Sequence, residues 1–225
     1  MKNKILFLLA ALLLLGVTAN SQTTGTSFGL RGGVNFQTIN GKDLNGDQLK
    51  FSMVPRFHVG VVVGIPIAPE FYFQPGLLFT TKGGMSKNIF WGTDKIEYNI
   101  SYIELPMNFL YKPMLGKGHF LLGFGPYLAY GIGGKAKYTI GSISTEEKIV
   151  FTKDYNSSDP IVWKYFKNLD YGGNLFFGYE LSSGISLQVN TQLGLAKINA
   201  ENNTLPNNKS EYRNTGFGLS LGYNF

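Results

Sequence analysis

The two histidines are the first residues to test for chemistry, because an imidazole can act as a general base or as a metal ligand. His58 and His119 are the only histidines in the 225-residue chain, which has no cysteine. The lack of cysteine excludes disulfides, thiolate metal sites and a thiol nucleophile. A Ser–His hydrolase built on His58 stays open as an alternative, although no G-x-S-x-G elbow supports it. We expect no catalytic residue, no cofactor and no metal site, and interpret His58 as a polar residue inside the fold.

A second set of candidate residues combines charge with a position on the polar face of a predicted strand. Such charges could form a gate that selects ions, or they could form compensating ion pairs. We favour ion pairs, because an unpaired buried charge costs several kcal/mol. Arg31 and Glu104 are one candidate pair. The complete predicted set is Arg31, Arg56, Glu104, Asp170 and Glu180.

The segment Asp43–Asp47 offers several oxygen ligands within five residues. It lacks the acidic residue that closes an EF-hand loop at a distance. We therefore interpret it as a solvated turn rather than a calcium site.

The elements that must position these side chains alternate with period two, which is the pattern of β-strands. In 184–198, for example, Leu187 and Val189 share one face, while Gln188 and Asn190 share the other. The same alternation recurs and predicts eight antiparallel strands. Their approximate ranges are 28–37, 56–65, 71–80, 103–111, 120–128, 169–180, 184–198 and 214–225.

The composition of the two strand faces indicates which one meets lipid. The polar faces consist mostly of Gly, Asn, Gln and Ser, which suit the crowded interior of a small barrel. Charged residues make up only 15% of the chain, against about 25% in ordinary soluble domains. A closed barrel satisfies its own backbone hydrogen bonds in lipid. The sequence therefore predicts an all-β, eight-stranded, up-and-down transmembrane β-barrel with its apolar faces outward.

Long and short connections alternate along the chain, as they do in outer-membrane barrels. The longest, 133–168, carries three aromatic residues predicted to be exposed contacts: Trp163, Tyr165 and Phe166. This connection is expected to contain a hairpin that extends two strands beyond the bilayer. A ten-stranded barrel is the alternative. Lys82 is placed in a long connection, 82–97. The remaining connections are 38–54, 66–70, 113–118, 182–184 and 199–212.

The N-terminal segment is predicted to be a targeting signal. Lys2 and Lys4 precede an apolar run from Ile5 to Val17, which is shorter than the roughly 20 residues of a membrane-spanning helix. Cleavage after Ala19 or after Ser21 would fit, and we prefer the latter. The prediction is a signal peptide over 1–21 and one barrel domain over 22–225.

Four stretches of the chain resemble the small outer-membrane β-barrel proteins of Gram-negative bacteria called PorT-like or porin-family proteins. They are 28–35 (FGLRGGVN), 102–106 (YIELP), 125–127 (GPY) and 219–225 (LSLGYNF). The resemblance implies the barrel fold, an outer-membrane location and outer-membrane lipid as surroundings. It also implies that Leu219, Leu221, Tyr223 and Phe225 form the signal read by the barrel-assembly machinery.

The predicted function is non-enzymatic: a membrane-embedded scaffold whose outer loops contact a ligand, an envelope partner or an extracellular partner. No run of Lys and Arg predicts nucleic-acid binding. Three alternatives stay open at this point. They are a narrow porin-like channel or secretion-associated envelope component, a secreted soluble lipocalin-like barrel with its apolar face inside, and a lipid-modifying enzyme that uses His58.

Overall fold

The computed structural model describes residues 25–87, 94–160, 164–205 and 208–225. The predicted signal peptide over 1–21 lies outside these residues. The described chain is all-β, and none of it forms a helix long and apolar enough to cross a membrane. Eight long strands form the body of the molecule. They are β1 (Ser27–Lys42), β2 (Val54–Ala68), β3 (Phe71–Lys82), β4 (Lys95–Tyr111), β5 (Gly118–Ile140), β6 (Leu169–Glu180), β7 (Ile185–Gly194) and β8 (Glu211–Asn224).

The eight strands close into a ring. Each pairs antiparallel with the next, and β8 pairs with β1 from Gly29↔Asn224 to Lys42↔Glu211. An additional strand, Ile143–Phe151, pairs only with the outer end of β5 and with the short strand Lys164–Phe166. It does not enter the ring, because β5 also pairs directly with β6. The eight-stranded prediction is confirmed and the ten-stranded alternative is wrong.

The two faces of each strand differ in exposure as the sequence predicts. Phe124, Leu187 and Leu221 are 56%, 55% and 64% exposed on the outside of the ring. The residues that alternate with these along each strand point into the interior, which we call the lumen, and many of them are buried. This orientation contradicts the soluble lipocalin-like alternative, which needs the apolar face inside.

Long connections lie at one end of the barrel, the outer end, and short turns lie at the other, the inner end. Two residues join β2 to β3, and Glu70 in that turn has a φ of 65°. Gly184 has a φ of 84° in the turn before β7, a conformation that favours glycine.

Strand β5 extends further outward than predicted and continues to Ile140. There it pairs with β4 along one edge and with the strand Ile143–Phe151 along the other. We call residues 135–140 of β5 and the strand Ile143–Phe151 the outer hairpin. The first part of the predicted connection 133–168 is therefore strand. A hairpin is present as predicted, but only its first strand extends a barrel strand, because Ile143–Phe151 is separate from β6.

Small residues on the inner face make room for large rings. A Cβ atom at Gly123 would overlap the ring of Phe176, and one at Gly172 would overlap the ring of Tyr127. Because the rings occupy this space, side chains fill much of the lumen, as expected for a barrel of eight strands.

Candidate functional site

A buried ion cluster crosses the outer half of the lumen. The Lys82 Nζ lies 2.8 Å from Glu104 Oε2 and 3.0 Å from Asp170 Oδ2. The Lys82 and Asp170 side chains are fully buried, and that of Glu104 is 5% exposed. One ammonium group therefore joins two carboxylates contributed by two other strands. The predicted lumen residues Glu104 and Asp170 do meet, through a lysine that the sequence reasoning assigned to a loop.

Neighbouring strands supply the remaining hydrogen bonds of this cluster. Tyr127 donates its hydroxyl to Asp170 Oδ1 at 3.3 Å, and Asn214 donates Nδ2 to Asp170 Oδ2 at 3.0 Å. Gln192 donates Nε2 to Glu104 Oε1 at 3.0 Å. The Lys82 ammonium also lies 4.0 Å from the centre of the Tyr127 ring, within range of a cation–π contact. The cluster thus joins three strands, β3, β4 and β6, through charged groups, and three more, β5, β7 and β8, through the neutral donors Tyr127, Gln192 and Asn214.

Lys82 was predicted to lie in the connection 82–97, and this prediction is wrong. Strand β3 continues to Lys82, whose side chain points into the lumen. The lysine looks like a loop residue because Gly83 and Gly84 follow it immediately. The inward position of Thr80 could have revealed this, because the residue two positions further along a strand lies on the same face.

An apolar cap closes the lumen on the outer side of the ion cluster. It combines inward residues of the barrel strands with residues of the outer connections, and its members are at most 5% exposed. The rings of Tyr98 and Phe166 meet edge-on with their centres 5.3 Å apart. The cap consists of Ile39, Ile96, Tyr98, Ile100, Tyr102, Tyr127, Ala129, Ala136, Ile149, Phe166, Ala196 and Ile198.

The inner half of the lumen holds a small polar cavity of about 60 Å³. Arg31, Glu104 and His58 are among its lining residues. The predicted Arg31–Glu104 ion pair does not form, because Glu104 pairs with Lys82 and Arg31 donates to Gln74 Oε1 at 2.8 Å. The guanidinium also lies 5.0 Å from the centre of the Phe176 ring.

His58 belongs to a chain of hydrogen bonds that the sequence did not reveal. Its Nδ1 lies 3.0 Å from Asn35 Oδ1, and its Nε2 lies 3.0 Å from Ser220 Oγ. Asn190 donates to the same Ser220 oxygen at 2.7 Å. This Ser–His–Asn order matches the connectivity of a nucleophile, a base and an orienting group. All three residues are at most 6% exposed, so the serine does not meet a substrate from outside.

The other predicted lumen charges form pairs of their own. Arg56 lies 2.9 Å from Glu97 and also donates to the Tyr98 carbonyl at 2.7 Å. Glu180 lies 2.6 Å from Lys112 at the inner end. Each predicted lumen residue therefore has a polar partner, although the structure does not gather all of them into one network.

The predicted outer contacts behave differently from one another. Phe166 was expected to be exposed, but it is 2% exposed in the apolar cap, so this prediction is wrong. It is buried between half-buried neighbours because it lies in a short strand paired with the outer hairpin. Tyr165 is half-buried and stacks on Tyr155, with ring centres 4.6 Å apart. Trp163 lies outside the described residues.

Two features of the outer connections bear on ligand binding. Asp43 Oδ1 accepts hydrogen bonds from the backbone of Asn45, Gly46 and Asp47, which is a local turn rather than a cation site. No group of three or more potential metal ligands occurs within the described parts of the chain.

Glu201 accepts hydrogen bonds from Lys197 and Lys167, and these contacts lower the pKa of its carboxyl group.

The proposed assembly signal lies on the outer face of β8 and at its end. Leu219, Leu221, Tyr223 and Phe225 are 52%, 64%, 44% and 74% exposed. They share the lipid-facing side of the strand, as the alternation predicts. Reading of these residues by an assembly machinery remains a prediction.

A closed eight-stranded barrel with an apolar exterior and a filled lumen defines an outer-membrane barrel protein. The chain belongs to the outer membrane protein beta-barrel domain family, whose model matches residues 7–225. No curated protein matches its sequence.

Solved structures of small barrels are similar over most of the chain. Neisserial surface protein A (NspA) is 10% identical with a TM-score of 0.45, and the match covers 90% of this chain and 100% of that one. Ail, the attachment invasion locus protein of Yersinia pestis, is 9% identical with a TM-score of 0.40 and the same coverage. Ail in complex with the heparin analogue sucrose octasulfate gives a TM-score of 0.41 at 9% identity, again with the same coverage.

Proposed function

We propose that this protein is a non-conducting, non-enzymatic scaffold of the outer membrane whose outer connections bind a partner at the cell surface. The observation that carries the proposal is the filled lumen. The apolar cap and the Lys82 cluster occupy its outer half, and the cavity further inward measures only about 60 Å³. A solute would have to displace both to pass, so the outer connections are the part that can take a ligand.

The outer hairpin offers the most prominent contact surface. Ile140 and Ile143 flank its tip and are 60% and 75% exposed. Apolar side chains exposed together beyond the membrane are typical of contact sites. The half-buried Tyr155–Tyr165 stack adds aromatic surface at the same end of the barrel.

The burial of the Ser–His–Asn chain supports a non-enzymatic role. Asn190 donates into the Ser220 oxygen, and Asn35 and Ser220 already occupy both imidazole nitrogens of His58. Such a set stabilises the lumen and needs no substrate. We interpret it as structural. The finer resemblance to PorT-like proteins, with a role in secretion, stays a prediction.

Planar-bilayer recording and site-directed cross-linking together test the proposal. We expect the purified, folded protein to give no step conductance, whereas regular single-channel steps would favour the narrow-channel alternative. Because the chain has no cysteine, Ser142→Cys places a unique cross-linker at the hairpin tip. The matched control is Lys117→Cys, an exposed position at the inner end. We expect a cross-linked adduct in intact cells with Ser142→Cys but not with Lys117→Cys. The absence of an adduct with Ser142→Cys would contradict a surface-binding role.

A further inference from the structure

Five lysines project outward at the outer end of the barrel: two on β5, one on the strand Ile143–Phe151 of the outer hairpin, one just before β6 and one just after β7. Buried neighbours fix their direction, because adjacent residues of an extended chain point to opposite faces. Ala136 is fully buried and lies between Lys135 and Lys137. Phe166 and Ile198 are 2% and 0% exposed and lie next to Lys167 and Lys197. We call these five residues the lysine sector: Lys135, Lys137, Lys148, Lys167 and Lys197.

The lysine sector lies directly beyond the lipid-facing band of the same strands. Tyr130 and Ile132 precede it on β5 and are 45% and 49% exposed. Leu169 and Leu195 occupy the corresponding places on β6 and just beyond β7, at 49% and 60% exposed. The ammonium groups therefore lie at the level where the hydrocarbon ends and lipid headgroups begin.

Positive charge in the lysine sector exceeds the negative charge paired with it. Glu146 pairs with Lys135 at 2.7 Å, and Glu201 serves both Lys167 and Lys197 at 2.9 and 2.8 Å. In the parts of the chain that the structure describes, Lys137 and Lys148 form no ion pair within 4.0 Å, although Glu146 lies opposite Lys137 in the hairpin register. The carboxylates beside the five lysines are Glu146, Glu147 and Glu201, so two positive charges of the lysine sector have no matching carboxylate.

The pairing register of the outer hairpin brings two lysines of the sector together. Lys135 lies directly opposite Lys148, and like charges in that position destabilise a strand pair. Two arginines elsewhere on the rim are paired, Arg213 with Glu211 and Arg56 with Glu97. Glu97 lies opposite Lys137 in the register, but its carboxylate bonds Arg56. The lysine sector therefore carries positive charge directly beyond the lipid-facing band of the barrel.

We propose that the lysine sector binds the phosphate groups of a phosphorylated lipid in the surrounding leaflet. A lipid headgroup is favoured over a soluble anion because the sector directly follows the lipid-facing residues on the same side of the barrel. Its acyl chains would lie against Leu169, Leu195 and Ile132, while its phosphates meet the ammonium groups. One flank of the barrel would then carry a bound lipid.

Binding of a defined lipid tests this proposal. The folded protein in maltoside micelles is titrated with fluorescent diphosphoryl lipid A and, separately, with the dephosphorylated form. Replacing Lys135, Lys137 and Lys148 together by Gln should weaken binding of the phosphorylated lipid on the order of 100-fold, given the usual contribution of a lysine near an anionic lipid surface. Binding of the dephosphorylated form should not change.

The matched control removes the same charge from exposed lysines outside the sector: Lys50→Gln, Lys87→Gln and Lys209→Gln. It should retain native affinity. A second variant, with Lys167, Lys197 and Glu201 all replaced by Gln, should also bind more weakly, and heat-modifiable migration on a gel verifies that each variant is folded. The proposal fails if the sector variant binds like the native protein or if the control loses as much affinity. Equal competition by inorganic phosphate would overturn it too, because it would identify a free-anion site.

Discussion

The two halves of the lumen are closed by different chemistry. The outer half contains an ionised cluster, in which Lys82 joins Glu104 and Asp170 beneath an apolar cap. Further inward, neutral amides, His58 and Ser220 surround a small cavity, with Arg31 held by Gln74, and the Lys112–Glu180 ion pair lies at the inner end. A charged cluster covered by apolar side chains thus closes one part of the lumen completely, whereas the amides further inward leave a small cavity between them.

The energetic consequence of this difference is an unequal sensitivity to mutation. Removing one partner of a buried ion pair leaves an uncompensated charge, which costs about 3–5 kcal/mol. Removing a neutral partner leaves a donor or acceptor unsatisfied, which costs about 1–3 kcal/mol. We therefore expect the stability of the barrel to depend more on the Lys82 cluster than on the neutral groups around the cavity.

The largest predicted effect comes from Lys82→Met, which leaves two carboxylates facing each other without the ammonium group. We expect the free energy of unfolding to fall by about 3–5 kcal/mol. Urea titration in lipid vesicles, followed by the gel migration of the folded form, measures it. An unchanged midpoint would show that the cluster does not hold the outer half.

The next effect tests the apolar cap. Phe166→Ala should cost about 3 kcal/mol, because it leaves a cavity between Tyr98 and the outer hairpin. Limited proteolysis should then cut the outer connections while the transmembrane strands resist. Tyr165→Ala, at the half-buried neighbour, is the control and should change both measurements less. Equal effects at the two positions would contradict the division between cap and surface.

A smaller effect is expected in the inner half. Ser220→Ala removes the partner of His58 Nε2 and of Asn190, and should cost about 1–2 kcal/mol. The native protein should not react with a fluorophosphonate probe, because Ser220 is buried. Covalent labelling of the native protein that Ser220→Ala abolishes would instead support the hydrolase alternative.

The smallest effect concerns an exposed ion pair. Glu146→Gln removes the partner of Lys135, whose side chain is 69% exposed. Surface pairs contribute little because solvent screens them. We expect no measurable change in the unfolding midpoint. A loss comparable to that of Lys82→Met would erase the distinction between the buried and the exposed ion pairs.

The sequence predicted the barrel because period two is a local signal that each strand carries by itself. The alternation in 184–198 identified both faces of β7 without any knowledge of its neighbours. The lipid-facing positions of Leu219 and Leu221 followed from the same rule and are confirmed by their exposure.

The pairings of the lumen depended instead on register around the ring. Arg31 and Glu104 were both expected inside and both line the cavity, but their partners come from other strands. The burial of Phe166 requires the outer hairpin to fold over it, which no local pattern reveals. Side-chain direction was therefore predictable, whereas contacts between strands distant in sequence were not.

The most direct test of the account compares Lys82→Met with a triple variant in which Glu104→Gln and Asp170→Asn are added. If a charge-compensated cluster holds the outer lumen, neutralising both carboxylates should restore most of the stability lost with the lysine. The free energy of unfolding of the triple variant is the quantity to measure. A value close to that of the native protein is predicted, and a value as low as that of Lys82→Met would contradict the account.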